Sequence, residues 1–405
     1  MRRICWLLLL LFAFAIPWEY SLDLGEQLGN IARVVGLLLL LTAIPAVLQS
    51  GRLRAPGSML WLILALYLWL CCSYFWSIEP LGTLDRMRGF FQEMMIVWLV
   101  WEFAESPGDL RALLRATVAG SWVLAALTVA SFATTEATVS DQIRFAANGQ
   151  DPNDLARFLD LGFPLAALLV NSESRGPWRL LAAGYLPVGF VAVLLTASRG
   201  GFLAALAALA GSGILLVIGH PKRLLAGALA LPPAAAALWI MVPHGTIERL
   251  ATINEQLQRG DLNERMNIWQ AGWHAFVRAP FFGTGADTFV SATGLAPVDT
   301  AHNTALSIAV SGGVVALFLA TAIVGSAVWS ITRTRGPLRW ALATALLVWF
   351  IASLVSTVEV SRTTWLLLAL FALAGRLAVE QPEELAACFS VADRTSQTGQ
   401  ALVNR

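Results

Sequence analysis

Four cationic side chains stand out by their surroundings. Arg144 lies in Arg144-Phe145-Ala146-Ala147-Asn148-Gly149-Gln150-Asp151-Pro152-Asn153, and Arg199 in Thr196-Ala197-Ser198-Arg199-Gly200-Gly201. Arg265 opens Arg265-Met266-Asn267-Ile268-Trp269, and His302 falls within Ala301-His302-Asn303-Thr304. A guanidinium keeps its charge in any setting and binds phosphate oxygens through paired N–H groups. An imidazole takes up a proton near neutral pH. Arginines converging with one histidine therefore describe an anion site with a proton acceptor beside it. Gly200, Gly201, Gly283 and Gly285 would let backbone amides approach such an anion closely. Each residue also has a plainer reading. An arginine at a helix end can snorkel to lipid headgroups, Arg144 can be solvated in a polar loop, Arg265 can neutralise Glu264 or Asp261, and His302 can merely cap a helix. His244 and His274 read as structural, and the Trp269, Trp273 and Phe276 stripe has the spacing of a packed helix face.

The elements that must position these residues are membrane spans. The chain has 405 residues, of which 57% are hydrophobic and 13% charged, too little polar surface for a soluble globule. Its net charge of +1 excludes a large basic nucleic-acid surface, and no glycine-rich phosphate loop precedes a helix. Apolar stretches of about 20 residues fall near 4–18, 31–49, 58–76, 88–104, 112–133, 155–171, 178–196, 200–218, 223–242, 302–330, 338–356 and 362–379. The pattern predicts an all-α, polytopic integral membrane protein of about twelve transmembrane helices. The apolar start is read as a retained first span, not a cleaved signal, because no small-x-small site follows.

With the N-terminus inside, alternate loops carry Arg2 and Arg3, Arg52 and Arg54, Arg111 and Arg115, Arg175 and Arg179, Lys222 and Arg223, and Arg333, Arg335 and Arg339. That agrees with the excess of positive charge on cytoplasmic loops, and it puts Arg144, Arg199, Arg265 and His302 together at the outer face. Four segments follow: spans 1–9 over 1–242, a periplasmic helical loop over 243–301, spans 10–12 over 302–379, and a polar cytoplasmic tail over 380–405 expected to be disordered. Within the loop, helices are expected at Thr246 to Gln258 and at Asp261 to Arg278, the second opened by an Asp261-Leu262-Asn263-Glu264 capping box. The four cysteines, Cys5, Cys71, Cys72 and Cys388, have neither metal-ligand nor disulfide-framework spacing.

At these residues the chain resembles the O-antigen ligase and polysaccharide polymerase superfamily of bacterial envelope enzymes. The resemblance runs through Trp76-Ser77-Ile78-Glu79-Pro80, Pro152-Asn153, Ser198-Arg199-Gly200, the late loop with Arg265 and Trp269, Gly283-x-Gly285, and Ala301-His302-Asn303. It implies a metal-independent, inverting glycosyltransferase without a cofactor, located in the inner membrane. Such an enzyme takes a glycan from undecaprenyl diphosphate at the periplasmic face and passes it to lipid A-core, as a ligase, or to another lipid-linked repeat, as a polymerase. Essential family residues carry onto Arg199, Arg265 and His302 as the catalytic set; Arg144, Asn153, Asn303, Gly283, Gly285 and Trp269 are expected beside them as the substrate-binding set.

Residue chemistry agrees with what the resemblance implies. Negative charge grows on a departing lipid diphosphate in the transition state, and preorganised arginines stabilise it there. A histidine at a helix N-terminus is biased toward the neutral form that accepts a proton. No Asp-x-Asp pair offers a divalent metal oxygen ligands on the outer side. A transporter is the competing class, but transporters put charged groups near mid-membrane, whereas the polar constellation here lies at one face.

Overall fold

The computed structural model describes residues 1–25, 28–134, 144–147, 150–174, 176–218, 244–251, 265–296 and 300–390. The described residues form helices and no strand. In chain order these are α1 (Arg2–Ala15), α2 (Ile31–Ser50), α3 (Ser58–Cys72), α4 (Pro80–Phe103), α5 (Pro107–Thr134), α6 (Pro152–Ser172), α7 (Pro177–Leu195) and α8 (Arg199–Val217). They continue with α9 (His244–Ala251), α10 (Arg265–Arg278), α11 (Phe289–Thr293), α12 (Thr304–Arg333), α13 (Gly336–Val355), α14 (Arg362–Glu380) and α15 (Pro382–Cys388). Among the described residues, ten membrane-length helices are apolar enough to span a bilayer. α4 is long enough but carries Asp85, Arg86, Arg88, Glu93 and Glu102. Eleven of the twelve expected spans thus fall on helices, and the ninth lies outside the described residues.

α6 and α14 form the centre, with 94% and 83% of their apolar windows buried inside the protein. α6 packs on α7, α8, α5 and α13, and α14 on α4 and α12. Small residues allow close approach where helices cross. A Cβ on Gly120 of α5 would lie 2.1 Å from the Phe14 carbonyl oxygen of α1, so only glycine fits there.

One end of the bundle is tied by ion pairs. Arg2 pairs with Glu102 and Glu105, Arg54 with Glu380, and Arg115 with Glu173, its Nη2 lying 2.7 Å from a carboxylate oxygen. Here the polar tail departs from expectation. Residues 382–388 form α15 instead of disordered chain, because Leu385 and Phe389 are buried and Arg111 lies over the Phe389 ring. The rest of the tail, 391–405, lies outside the described residues.

At the opposite end, α12 is broken at Gly313, whose φ of 67° and ψ of −165° suit glycine alone. The break frees backbone groups inside the membrane, where an unpaired one is costly. The turn after α10 supplies partners for them. Thr284 N–H donates to the Val310 carbonyl at 2.9 Å, Gly285 N–H to Ser311 at 3.0 Å, and Val314 N–H to Pro280 at 2.8 Å. The Trp69 indole N–H of α3 takes the Gly312 carbonyl at 2.8 Å.

Candidate functional site

Three of the helices meeting at this end, α6, α8 and α12, start on side-chain caps that sequence chemistry dictates. Asp151 accepts from the Asn153 and Asp154 amides, with Pro152 at the first position of α6. Ser198 caps α8 by accepting from Gly201 N–H, and Asn303 caps α12 by accepting from Leu306 N–H. Capping residues and candidate site residues are therefore the same or adjacent in sequence.

The first cluster joins four elements. Arg144 donates to Asn153 Oδ1 at 2.8 Å and to the Thr196 carbonyl at 3.2 Å, and Ser198 Oγ donates to the same Asn153 oxygen at 3.0 Å. Arg199 Nε donates to the Arg249 carbonyl at 3.0 Å, and Arg249 Nε returns to the Ala197 carbonyl at 3.3 Å. The turn that permits this exchange holds buried Ala197 at a φ of 49°, a strained conformation for a residue with a side chain. Burial pushes Arg144 below its usual pKa, and the neighbouring positive charges of Arg249 and Arg199 push the same way against the opposing pull of Asp151. Arg144, Arg199 and Arg249 are each half-buried. Three guanidiniums that raise one another's energy form a locus that an anion would relieve.

Arg249 is the residue that the sequence reading missed. It belongs to the expected first loop helix, which begins at His244 and is described to Ala251, earlier than the expected start at Thr246. Its placement in a loop expected on the outer side, against the excess of positive charge on cytoplasmic loops, was the available signal. The Asp261 capping box and Glu264 lie outside the described residues.

The second group is built on α10 and α12. Arg265 begins α10 and is half-buried, and burial lowers its pKa from the usual value. Trp269 donates its indole N–H to the Ala301 carbonyl at 3.1 Å and packs with Ile268, Phe289 and Val310. His302 follows Ala301 at a φ of 45° and is half-buried. The strained histidine is thus gripped on one side by Trp269 and on the other by the Asn303 cap. Asn303 is engaged at both ends, since its Nδ2 donates to the Leu354 carbonyl at 3.3 Å. Its position is that of a scaffold for His302.

Gly283 and Gly285 depart from the expected anion cradle. The Gly283 amide donates to Ala279 and the Gly285 amide to Ser311, so neither N–H is turned to a ligand. Their glycine identity has another cause. Both have positive φ, 69° and 112°, and a Cβ would lie 2.4 Å from the Ser311 carbonyl oxygen or 2.3 Å from Ser77 Oγ. The Trp76-Ser77-Ile78-Glu79 segment docks on this same turn, through Ile78 N–H to the Thr284 carbonyl at 3.0 Å and the Trp76 indole to Phe282 at 3.2 Å.

Charges inside the spans also escaped the sequence reading. Arg157 and Asp160 of α6 are buried, and Arg86 of α4 grips Glu93 through both terminal nitrogens at 3.1 and 3.0 Å. Arg157 pairs with Asp154 and lies within electrostatic range of Asp151, Glu359 and Arg265. Arg362 pairs with buried Glu19 and Arg88 with Asp85, which gives both arginines structural partners.

Residues 185–321 match the family model described as O-Antigen ligase. The matched stretch contains Arg199, Arg249, Arg265 and His302 and leaves out Arg144 and Asn153. No curated protein matches the chain.

Proposed function

We propose that this chain, of which residues 185–321 match the O-antigen ligase family model, belongs to the O-antigen ligase and polymerase superfamily and is a membrane glycosyltransferase that moves a glycan from undecaprenyl diphosphate to an acceptor at the periplasmic face of the inner membrane. The observation that carries this reading is the convergence of Arg144, Arg199 and Arg249 around Asn153 and Ser198 at one end of the bundle. Such a cluster suits a diphosphate, whose oxygens accept several charge-assisted hydrogen bonds at once.

In the reaction, the acceptor oxygen bonds the anomeric carbon on the face opposite the carrier. The bond from that carbon to the diphosphate oxygen breaks, and its electron pair leaves with the diphosphate. The arginines stabilise this charge as it forms, and His302 takes the proton of the acceptor hydroxyl. Arg265 adds positive charge on the α10 side. The arginines occupy the role that a divalent ion has in other phosphate-leaving chemistry, so transfer is expected to persist in chelator. Among acceptors, lipid A-core is the favoured reading, making the enzyme an O-antigen ligase; polymerisation onto a second carrier-linked unit is the alternative.

The test is transfer from purified carrier-linked donor by the His302→Ala protein with EDTA present. Loss of transfer by about 10²- to 10⁴-fold with donor binding retained supports the reading, and undiminished transfer removes His302 from it. Ligase and polymerase separate in a strain lacking the protein. Core without any polymer, with polymer retained on the carrier, indicates a ligase; core bearing a single unit indicates a polymerase.

A further inference from the structure

A second polar locus at the same end of the bundle lies apart from the arginine cluster. α3, α4, α12, α13 and α14 enclose a cavity of about 100 Å³. Its inner walls are apolar, with Leu66, Phe90, Ile323, Trp365 and Leu368 among them. Its outer end is polar and is formed by Arg86, Asp287, Thr304, Ser307 and Glu359. This layout is amphiphilic along the membrane normal, since Thr304 and Ser307 lie in the first turns of α12 and Ile323 lies several turns deeper.

The polar end is a constructed one. The Glu359 carbonyl accepts from Arg86 at 3.3 Å and from the Trp365 indole at 3.0 Å, which fixes the short segment carrying its side chain. Thr304 Oγ1 donates to the Ser356 carbonyl and accepts from Val358 N–H, pinning the same segment to the start of α12. The Oε2 atom of Glu359 is nonetheless buried without a hydrogen-bond partner, a costly state in a filled interior. Asp287 stands exposed at the mouth with a φ of 63°, held in a conformation that side chains rarely adopt.

We propose that this cavity binds a lipid whose head is uncharged and rich in hydroxyl groups, such as a sugar-headed amphiphile, with the head at Glu359 and Asp287 and the start of the tail between α3 and α14. Hydroxyl donors would satisfy the unpaired carboxylate oxygen. A phosphate head would meet two carboxylates and a single guanidinium whose terminal nitrogens already hold Glu93. A cationic head would meet the Arg86 guanidinium, which lines the same polar end. The site differs in chemistry from the arginine cluster, and occupancy would brace the start of α12 that carries His302.

The experiment uses the full chain in nanodiscs and a dodecyl maltoside with a brominated tail, which quenches tryptophan on contact. Trp349 and Trp365 line the cavity and report binding. The expected result is a saturable quench whose midpoint rises about tenfold in Glu359→Gln and whose saturable part is lost in Val324→Phe, which plugs the inner slot. Brominated phosphatidylglycerol and a brominated alkylammonium of equal tail length should give only a linear, non-saturating quench. Equal saturation by either charged amphiphile, or an isotherm unchanged in Val324→Phe, overturns the proposal. Because the readout is binding, it stands or falls separately from glycan transfer.

Discussion

At the scale of single residues, His302 and Arg249 carry the sharpest expectations. Trp269 holds the carbonyl next to His302, so Trp269→Phe removes one hydrogen bond while keeping the packing. The expected outcome is a fall in kcat of about two- to tenfold with acceptor KM little changed, corresponding to the loss of about 0.5–1.5 kcal/mol of positioning. Restored activity is not expected from any change of pH, which separates positioning from proton transfer. Arg249→Ala should lower transfer by about 10²- to 10³-fold, as removal of one donor from a charge-stabilising site does. Arg249→Lys should rescue only part of it, because a point charge does not reproduce the planar fork. Steady-state kinetics on the two variants check both statements.

Elements show why part of the site was legible in the sequence and part was not. Arg199, Asn153 and His302 sit beside Ser198, Asp151 and Asn303, which are helix caps, and caps are local signals with a short range in sequence. Spans were readable for the same reason, since an apolar run of bilayer length is a local property. Arg249 was not readable, because its place depends on an exchange of hydrogen bonds with the α7–α8 turn some fifty residues away. The two glycines of Gly283-x-Gly285 were recognised as unusual but given the wrong cause; their partners, Ser311 and Ser77, lie in distant segments. Gly283→Ala should therefore destabilise the protein by about 1–3 kcal/mol, visible as a lower thermal midpoint in detergent, with the donor affinity of the surviving folded protein unchanged.

For the whole molecule, the two ends of the bundle divide the work. One end is closed by ion pairs between carboxylates and the arginines that set the expected orientation, such as Arg115 with Glu173 and Arg2 with Glu102. Replacing Glu173 by Ala leaves Arg111 and Arg115 without their buried partner and is expected to cost about 1–3 kcal/mol, again measured as thermal midpoint, with transfer per folded molecule intact. The other end carries the strained turns at Ala197, Asp287 and His302. Strain gathered at one end, on helices anchored at the other, is the distribution that a rigid frame with a chemical face produces. The buried Arg157 and Asp160 were not foreseen, because a charge within an apolar run is read as noise unless its neighbours across the bundle are known.

The break in α12 has a further meaning for how substrates come and go. Val310, Ser311, Gly312 and Val314 have surrendered ordinary helix partners and found substitutes in the turn after α10 and in Trp69. Lifting that turn away would strand several peptide groups at membrane depth at once. Residues 279–285 therefore behave as a splice, not a flap, and α10 moves with α12 as one piece. For the proposed transfer reaction, this turn would not serve as a lid, and a lipid-linked donor is expected to glide in sideways from the bilayer between helices, toward a fixed ceiling.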